Sequence, residues 1–597
     1  MVLTKEEAAR IAATDEPAKK KTKVSEEEDN TDLEAIQNAL FSQCLCVVPE
    51  SVVRRPFLGL KILHHEDAQG HCASAIANWS RNRTLMFVSA VQLLCEESIK
   101  QNARGFVCRR ITDTCDALVR NRYELVNHLI ELSAHSDRFV RYTAGKTLAS
   151  FFIAARNHID PRWLERLADN ALSTSHPQKM SFSLDVMKRI AEWRDSEEHP
   201  LDESDHFPPS SCHFLNVRES ELDSYQIKCL TVKALETKWP SIVEKFERQL
   251  ATNLCRDDSG VVIFLGLWEA IISVKANLSI VDTKPFYVHL PNFVAILNSR
   301  ISPIVWKHTL DLFNEVLCYG STLALQESLA EEPCSLAHLI VRSVKDWKLL
   351  ESIPFRGGSG KFGGGSGDGD KPLLKKAVLM VLKAVAVTVK ETRCESSSDS
   401  SSSFSSEGED ADDDMAVIER SIREVLRQLD SCIKTLLPYH PEAPLAQWVA
   451  QLFSDQDDSL IEAMICCLDV TIGLFQRENA SQDLKKVLSP SLTLAQFLRT
   501  VSYGEDVLLD LLISNETCFL LYLLKVLKYL KKNWPEFVTA CKNELSDIMG
   551  VLSRLHAAID RLINRSLFPY NITPVLKLLE KCERLYDGSD SAMPHNR

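Results

Sequence analysis

The chain has 597 residues, room for about four domains at roughly 150 residues each. At 45% hydrophobic and 25% charged it can bury a large core; its 20 Gly exclude collagen-like and Gly-turn-rich β architectures, and no apolar run reaches the roughly 20 residues of a membrane helix. Lys and Arg (69) against Asp and Glu (82) give −13, the wrong sign for a protein that lays a basic stripe along phosphates, so direct nucleic-acid binding is not expected.

Residues 1–31 are almost wholly polar and alternate in charge, a composition that cannot bury enough apolar surface to offset ordering entropy, so a disordered tail is expected. The start, MVLTKEEAARIAATDEP, has no apolar h-region, which points to an intracellular chain with reduced cysteines. Lys19, Lys20, Lys21 and Lys23 crowd into five positions of this tail, the pattern an importin-type receptor reads. Ser25 stands three residues before Glu28, the offset acidophilic kinases select.

From 32 to 355 apolar residues recur at helical spacing. Four places in the chain share one pattern, a short polar residue followed by an apolar helix stepping by four: Asp137 to Val140, Ala144 and Leu148; Asp258 to Val262, Gly266 and Ala270; Ser302 to Val305, Thr309, Phe313 and Leu317; Asp457 to Leu460, Met464, Leu468 and Ile472. Capping residue and stripe together describe the second helix of a HEAT or armadillo hairpin. The 18 Cys are scattered, with Cys44/Cys46 and Cys466/Cys467 as near neighbours and no CxxC pair, so zinc ribbons, RING-type sites and thioredoxin-like motifs are not expected. His64, His65, Glu66, Asp67, His71 and Cys72 cluster, with Cys44 and Cys46 upstream, but adjacent ligands seldom fit one tetrahedron, and the cluster reads as a polar inter-helix loop. No metal or other cofactor is expected.

Residues 356–371 hold eight of the Gly and read as a linker; Gly358, Gly360 and Gly363 spell GxGxxG without the strand and helix that would aim it at phosphate. A helix is expected over 372–394, then a disordered Ser/acidic segment over 395–414, whose eight acidic residues account for the drop from −5 to −13. Within it Ser396 precedes Asp399 and Ser406 precedes Glu409 at the kinase offset, making both phosphorylation candidates.

Helical repeats resume over 415–563. In SNETCFLLYLLKVLKYLKKNW, Ser514 or Asn515 offers an N-cap, Glu516 a first-turn charge, and Lys531 and Lys532 a basic last turn. A single helix opening near Pro535 then places Val538, Cys541, Leu545, Ile548, Leu552, Leu555, Ile559 and Leu562 on one seam. Met549, Val551 and Ala558 widen that seam into a core-facing band, which favours packing on the preceding helix over self-association. Cys467, Cys518, Cys541 and Cys582 sit at apolar positions as small hydrophobes. The turn SLFPYN ends the helix; Thr573 and Pro574 start another, in a block spanning 564–586 before a tail at 587–597.

It is on SNETCFLLYLLKVLKYLKKNW (514–534) and SLFPYNITPVLKLLEKCE (566–583) that the sequence resembles the Lines family, named for a segment-polarity regulator of insect embryos. ELVNHLIELSAHSDRFVRYTAGKTLASFF (124–152) is compatible with that family's helical N-terminal region, taken to span 32–355. The resemblance implies a non-enzymatic helical regulator of transcription-linked, Wnt-type patterning that shuttles between cytoplasm and nucleus and binds other proteins. The expected architecture is all-α: an armadillo/HEAT-like α-solenoid with a disordered tail and disordered insertions. The rivals are a generic armadillo/HEAT adaptor in transport or assembly, and an enzyme with a divergent site, which would need a pocket of converging ionisable groups.

Overall fold

The computed structural model describes residues 30–58, 65–66, 72–73, 76, 79–120, 124–155, 158–173, 176–195, 212–216, 224–252, 258–274, 278, 284–355, 370–398, 408–437, 442–474, 487–514 and 516–590. They are overwhelmingly α-helical. Besides short 3-10 and π-helical turns they hold two small antiparallel ribbons: β1 (His65–Glu66) with β2 (Cys72–Ala73), and β3 (Phe106–Cys108) with β4 (Phe214–Asn216). Among the described residues no helix is long and apolar enough to cross a membrane. The chain divides into two compact units, Met1–Gln249 with Cys255–Phe286, and Leu250–Leu254 with Tyr287–Arg597.

In the first unit the helices are α1 (30–41), α2 (Glu50–Leu58), α3 (Arg81–Ala103), α4 (Arg109–Arg120), α5 (Glu124–Glu131), α6 (Arg138–Ala155), α7 (Arg162–Leu172), α8 (Pro177–Glu192), α9 (Tyr225–Glu236), α10 (Trp239–Thr252) and α11 (Ser259–Val274). Four of them pack in series, α3 on α6, α6 on α8 and α8 on α11, while α7 and α9 lie against α8. Sequence explains the row. Asp137 accepts from the Phe139 and Val140 N–H groups at 2.7 and 3.3 Å, which satisfies two orphan donors and starts α6 where expected. Val140, Ala144 and Leu148 are then fully buried. In α11 Gly266 and Ala270 of the expected stripe are buried and Val262 is half-buried, and burial extends round most of the helix through Val261, Phe264, Leu265 and Trp268. Trp239, Phe246, Phe264, Trp268 and Phe286 close this end with ring centroids 4.2 to 5.5 Å apart.

The second unit carries α12 (Leu290–Ile296), α13 (Pro303–Val316), α14 (Glu331–Trp347), α15 (Lys371–Ser398), α16 (Gly408–Leu436), α17 (Leu445–Leu452), α18 (Asp457–Leu474), α19 (Pro490–Thr500), α20 (Glu505–Ile513), α21 (Phe519–Lys532), α22 (Trp534–Ala540), α23 (Leu545–Asn564) and α24 (Thr573–Asp590). Its serial row runs α15, α18, α21, α24. Ser302 caps α13 through the Val305 N–H, and Val305, Thr309, Phe313 and Leu317 are buried as expected. The serine/acidic stretch is less irregular than its composition suggests: α15 carries on through Ser398 and α16 already begins at Gly408. The Gly-rich residues 356–369 lie outside the described residues.

Three expectations at the C-terminal end need correction. Ser514 closes α20 rather than opening α21; its hydroxyl takes the Glu516 N–H in a turn, and the helix starts at Phe519. The basic last turn, Lys531 and Lys532, is as expected, and so is Pro535 in the first turn of the next helix. The long seam is broken at 541–544, so α22 and α23 are separate helices, and α23 packs on α20 and α24 instead of on the helix before it. Ile548, Leu552, Leu555 and Ile559 are buried there, together with Met549, Val551 and Ala558, inside the fold.

Candidate functional site

Most of the residues singled out by sequence have no described position. Lys19, Lys20, Lys21, Lys23, Ser25 and Ser406 lie outside the described residues. Ser396 lies on the last turn of α15, and its side chain is outside them too. Of the His-rich cluster, His65 and Glu66 pair with Ala73 and Cys72 in the first ribbon.

Three places in the described fold carry functional geometry. The first is the C-terminal turn. Helix α23 ends with Ser566 at φ 56°, and the Ser566 and Leu567 N–H groups return to the Ile563 and Leu562 carbonyls at 2.8 and 2.9 Å. Asn571 then accepts from the Thr573 N–H at 3.1 Å to start α24, and the Tyr570 hydroxyl donates to the Leu512 carbonyl at the end of α20. A turn held at three points presents Leu567 64% exposed and Ile513 43% exposed, with Ile563 and Tyr570 also exposed. Apolar side chains left outward on a stiff backbone are what a protein-binding patch requires.

The second is a charged centre in the second unit. Lys383 on α15 is only 5% exposed; its ammonium meets Glu462 of α18 at 2.7 Å and donates to the Asn314 carbonyl at 3.0 Å. The other Glu462 oxygen accepts the Tyr319 and Gly320 N–H groups at 2.8 and 3.0 Å, holding the π-turn 319–323. Asp469 takes the Tyr319 hydroxyl at 3.1 Å and the Lys525 ammonium at 2.6 Å. Burial, with Asp469 and Cys466 beside it, drives the Tyr319 hydroxyl well above its ordinary range, so it stays protonated as a donor. A half-open cleft of about 300 Å³ lies alongside, lined by Tyr319, Lys390, Arg393, Asp469 and Lys525. Each of Glu462, Lys383, Asp469 and Lys525 is spent on joining helices, which is the work of a structural clamp.

The third was not visible in the spacing. Four cysteines, Cys44, Cys46, Cys108 and Cys212, bring their sulfurs within 4.8 Å of one another in the first unit. Gln43, at φ 61°, ends α1 and swings the chain into the Cys44–Leu45–Cys46 turn. Cys108 closes β3, and the pairing of Cys108 with Phe214, plus the Arg109 N–H to the His213 carbonyl at 2.8 Å, delivers Cys212 to the same spot. Buried Gln101 ties the pieces together: its amide donates to the Gln43 carbonyl at 2.7 Å and its oxygen accepts the Cys108 N–H at 2.8 Å. Burial pushes the Cys44 thiol up to about 11 and raises that of Cys212 further. Burial acts the same way on Cys108, but the Ile111 and Leu45 N–H groups and the neighbouring thiols outweigh it and leave Cys108 below its ordinary value. Of the cysteines expected to be packing residues, Cys467, Cys541 and Cys582 are buried, and burial raises them to about 12, 12 and 11, whereas Cys518 is only half-buried, just before α21.

Comparison with known proteins fixes the lineage. A profile described as the Lines N-terminus matches residues 214–541, and one described as the Lines C-terminus matches 548–584. The N-terminal match thus begins well after residue 32 and ends well past 355, so the 124–152 stretch falls outside it while 514–534 falls inside. Protein lines of Drosophila melanogaster is 39% identical over 94% of this chain and 80% of its own length. Protein Lines homolog 1 of Homo sapiens is 26% identical over 55% of this chain and 46% of its own, and its Mus musculus counterpart 23% over 76% and 58%. With both family profiles in order along the chain and more than half of it matched by the first, the protein belongs to the Lines family.

Proposed function

We propose that this chain is a non-enzymatic helical-repeat scaffold, an armadillo/HEAT-like α-solenoid, that adjusts a developmental signalling output of the Wnt or segment-polarity kind by binding other proteins. The serial helix rows within each unit support the repeat reading, since stacked helices generate extended binding faces. It works in nucleus and cytoplasm, entering through an importin-type receptor on Lys19, Lys20, Lys21 and Lys23, with phosphorylation at Ser25, Ser396 and Ser406 as its adjustable charge.

The observation that carries this reading is the C-terminal turn: a block that matches a family profile keeps its backbone tied down while leaving Leu567 and Ile563 outward. The test is affinity capture from cells with the intact chain and with a Leu567→Asp/Ile563→Asp variant, read by mass spectrometry. The variant should fold, with unchanged helicity, and lose a defined set of partners and the reporter output. A folded variant that keeps every partner and full output would refute the reading. The adaptor alternative separates on a second arm: Lys20→Ala/Lys21→Ala should abolish nuclear entry here and change nothing for a transport adaptor confined to the cytoplasm.

A further inference from the structure

We propose that Cys44, Cys46, Cys108 and Cys212 form a closed structural zinc(II) site. A tetrahedral zinc tetrathiolate with bonds of about 2.3 Å has sulfur–sulfur edges of about 3.8 Å. Cys108 Sγ stands 4.0 Å from Cys44 Sγ and 3.7 Å from Cys46 Sγ, and all four sulfurs fit within 4.8 Å. Those separations are far beyond a disulfide bond, the four thiols are free, and the two contacts of Cys108 Sγ match the edge length of that tetrahedron.

The surroundings hold the sulfur-bearing segments in place. The Cys46 N–H points at Cys44 Sγ at 3.3 Å, and Arg110 donates to the Leu45 and Val48 carbonyls, stiffening the turn from outside. Gln101 couples that turn to the strand carrying Cys108, the outer-shell role that fixes ligand orientation in metal sites. Four sulfur donors without an oxygen suit zinc or a single iron and disfavour calcium, magnesium and manganese. Binding would expel the four thiol protons and leave the ion and its ligands with a charge of −2. Arg109 and Arg110 line the cleft of about 730 Å³ beside Cys46 and Cys212 together with Asp113, which pairs with Arg109 at 3.9 Å, so two cations against one carboxylate are placed to offset part of it. The ion would staple three segments distant in sequence and anchor the β3–β4 ribbon to the end of α1.

The full-length chain, produced without a metal-binding tag under reducing conditions, should contain one zinc per chain by elemental analysis. Exchange into cobalt(II) should give the intense visible bands and near-ultraviolet thiolate charge-transfer band of a tetrahedral tetrathiolate. Cys46→Ser/Cys212→Ser should lose the zinc, Cys432→Ser should keep it, and Gln101→Ala should weaken zinc binding by about 10–100-fold. A folded wild-type chain that takes up neither zinc nor cobalt overturns the proposal without recourse to any variant. So do an iron tetrathiolate spectrum, a disulfide among the four residues in the reduced preparation, or zinc that survives the double substitution.

Discussion

Substituting Glu462 by Gln tests whether the charged centre is a clamp. The Lys383–Glu462 pair lies at 2.7 Å with Lys383 almost wholly buried, and at an effective dielectric of about 20 the attraction is about 6 kcal/mol. Desolvating the two ions consumes several kcal/mol of that, so the pair itself contributes little against an apolar replacement. Breaking it is another matter. Glu462→Gln keeps an acceptor for the Tyr319 and Gly320 N–H groups but leaves the Lys383 ammonium with the Asn314 carbonyl alone, a loss of about 3–5 kcal/mol. Lys383→Met should cost less, because Glu462 retains its two N–H donors, and the double variant should recover part of the loss. The assay is urea unfolding followed by hydrogen exchange of peptides covering 319–323, in all four proteins. Exchange there should accelerate at least tenfold in Glu462→Gln, since each 1.4 kcal/mol is a factor of ten. A Glu462→Gln protein within 1 kcal/mol of the parent, or single-variant losses that simply add in the double variant, would refute the clamp.

Two glycines at helix crossings should differ in their response to a methyl group. A Cβ at Gly473 of α18 would run into Val389 of α15, so Gly473→Ala should lower stability by about 1–3 kcal/mol in thermal unfolding, whereas Gly266→Ala meets only the flexible Lys188 tip at 2.8 Å and should be nearly neutral. Ser302→Ala should cost about 1 kcal/mol by freeing the Val305 N–H, read as a lowered urea midpoint. Ser566→Gly, which relieves a left-handed φ of 56°, should add about 0.5–1 kcal/mol of stability and so raise that midpoint slightly. The Arg499 guanidinium, partly opposed by burial and helped by the Tyr503 hydroxyl, holds Glu544 below its ordinary value near 4.5. Its stabilising contribution is therefore complete above about 4.5 and lost as pH falls through the lowered folded value, and Glu544→Gln should flatten the acid limb of a stability–pH curve.

The helices were legible because their signals are local. A cap at Asp137 or Ser302 acts within three residues, and an apolar step of four needs nothing beyond the helix that carries it. Where the reading slipped, a longer-range partner decided. Ser514 looks like an N-cap of the next helix, yet it is the C-terminal end of α20, a helix that packs on α23. The 535–562 seam keeps its period across 541–544, and periodicity cannot register that the chain turns there to lay α23 on α20 and α24. Composition misled in the serine/acidic stretch for a related reason: α15 is anchored by its buried apolar face and carries its helical backbone on to Ser398.

The sulfur cluster shows why a site can be complete and still unreadable. Spacing rules recognise metal ligands when two come from one turn and two from a nearby one, as CxxC pairs do. Here one turn supplies Cys44 and Cys46, and the remaining two arrive singly, Cys108 at the end of a three-residue strand and Cys212 two residues before the partner of Cys108. No short window of sequence contains both halves, and the information that joins them is the register of a ribbon whose strands are separated by α4 through α8. A local hint is Gln101, a polar side chain on the buried face of α3, whose amide, besides donating to Glu97 one turn earlier, meets the Gln43 carbonyl and the Cys108 N–H. A buried amide satisfied from both ends marks a place where the fold needs two distant segments held in a fixed relation. Four thiols converge beside it, and a shared ion is what would make that fixed relation worth its buried polar groups.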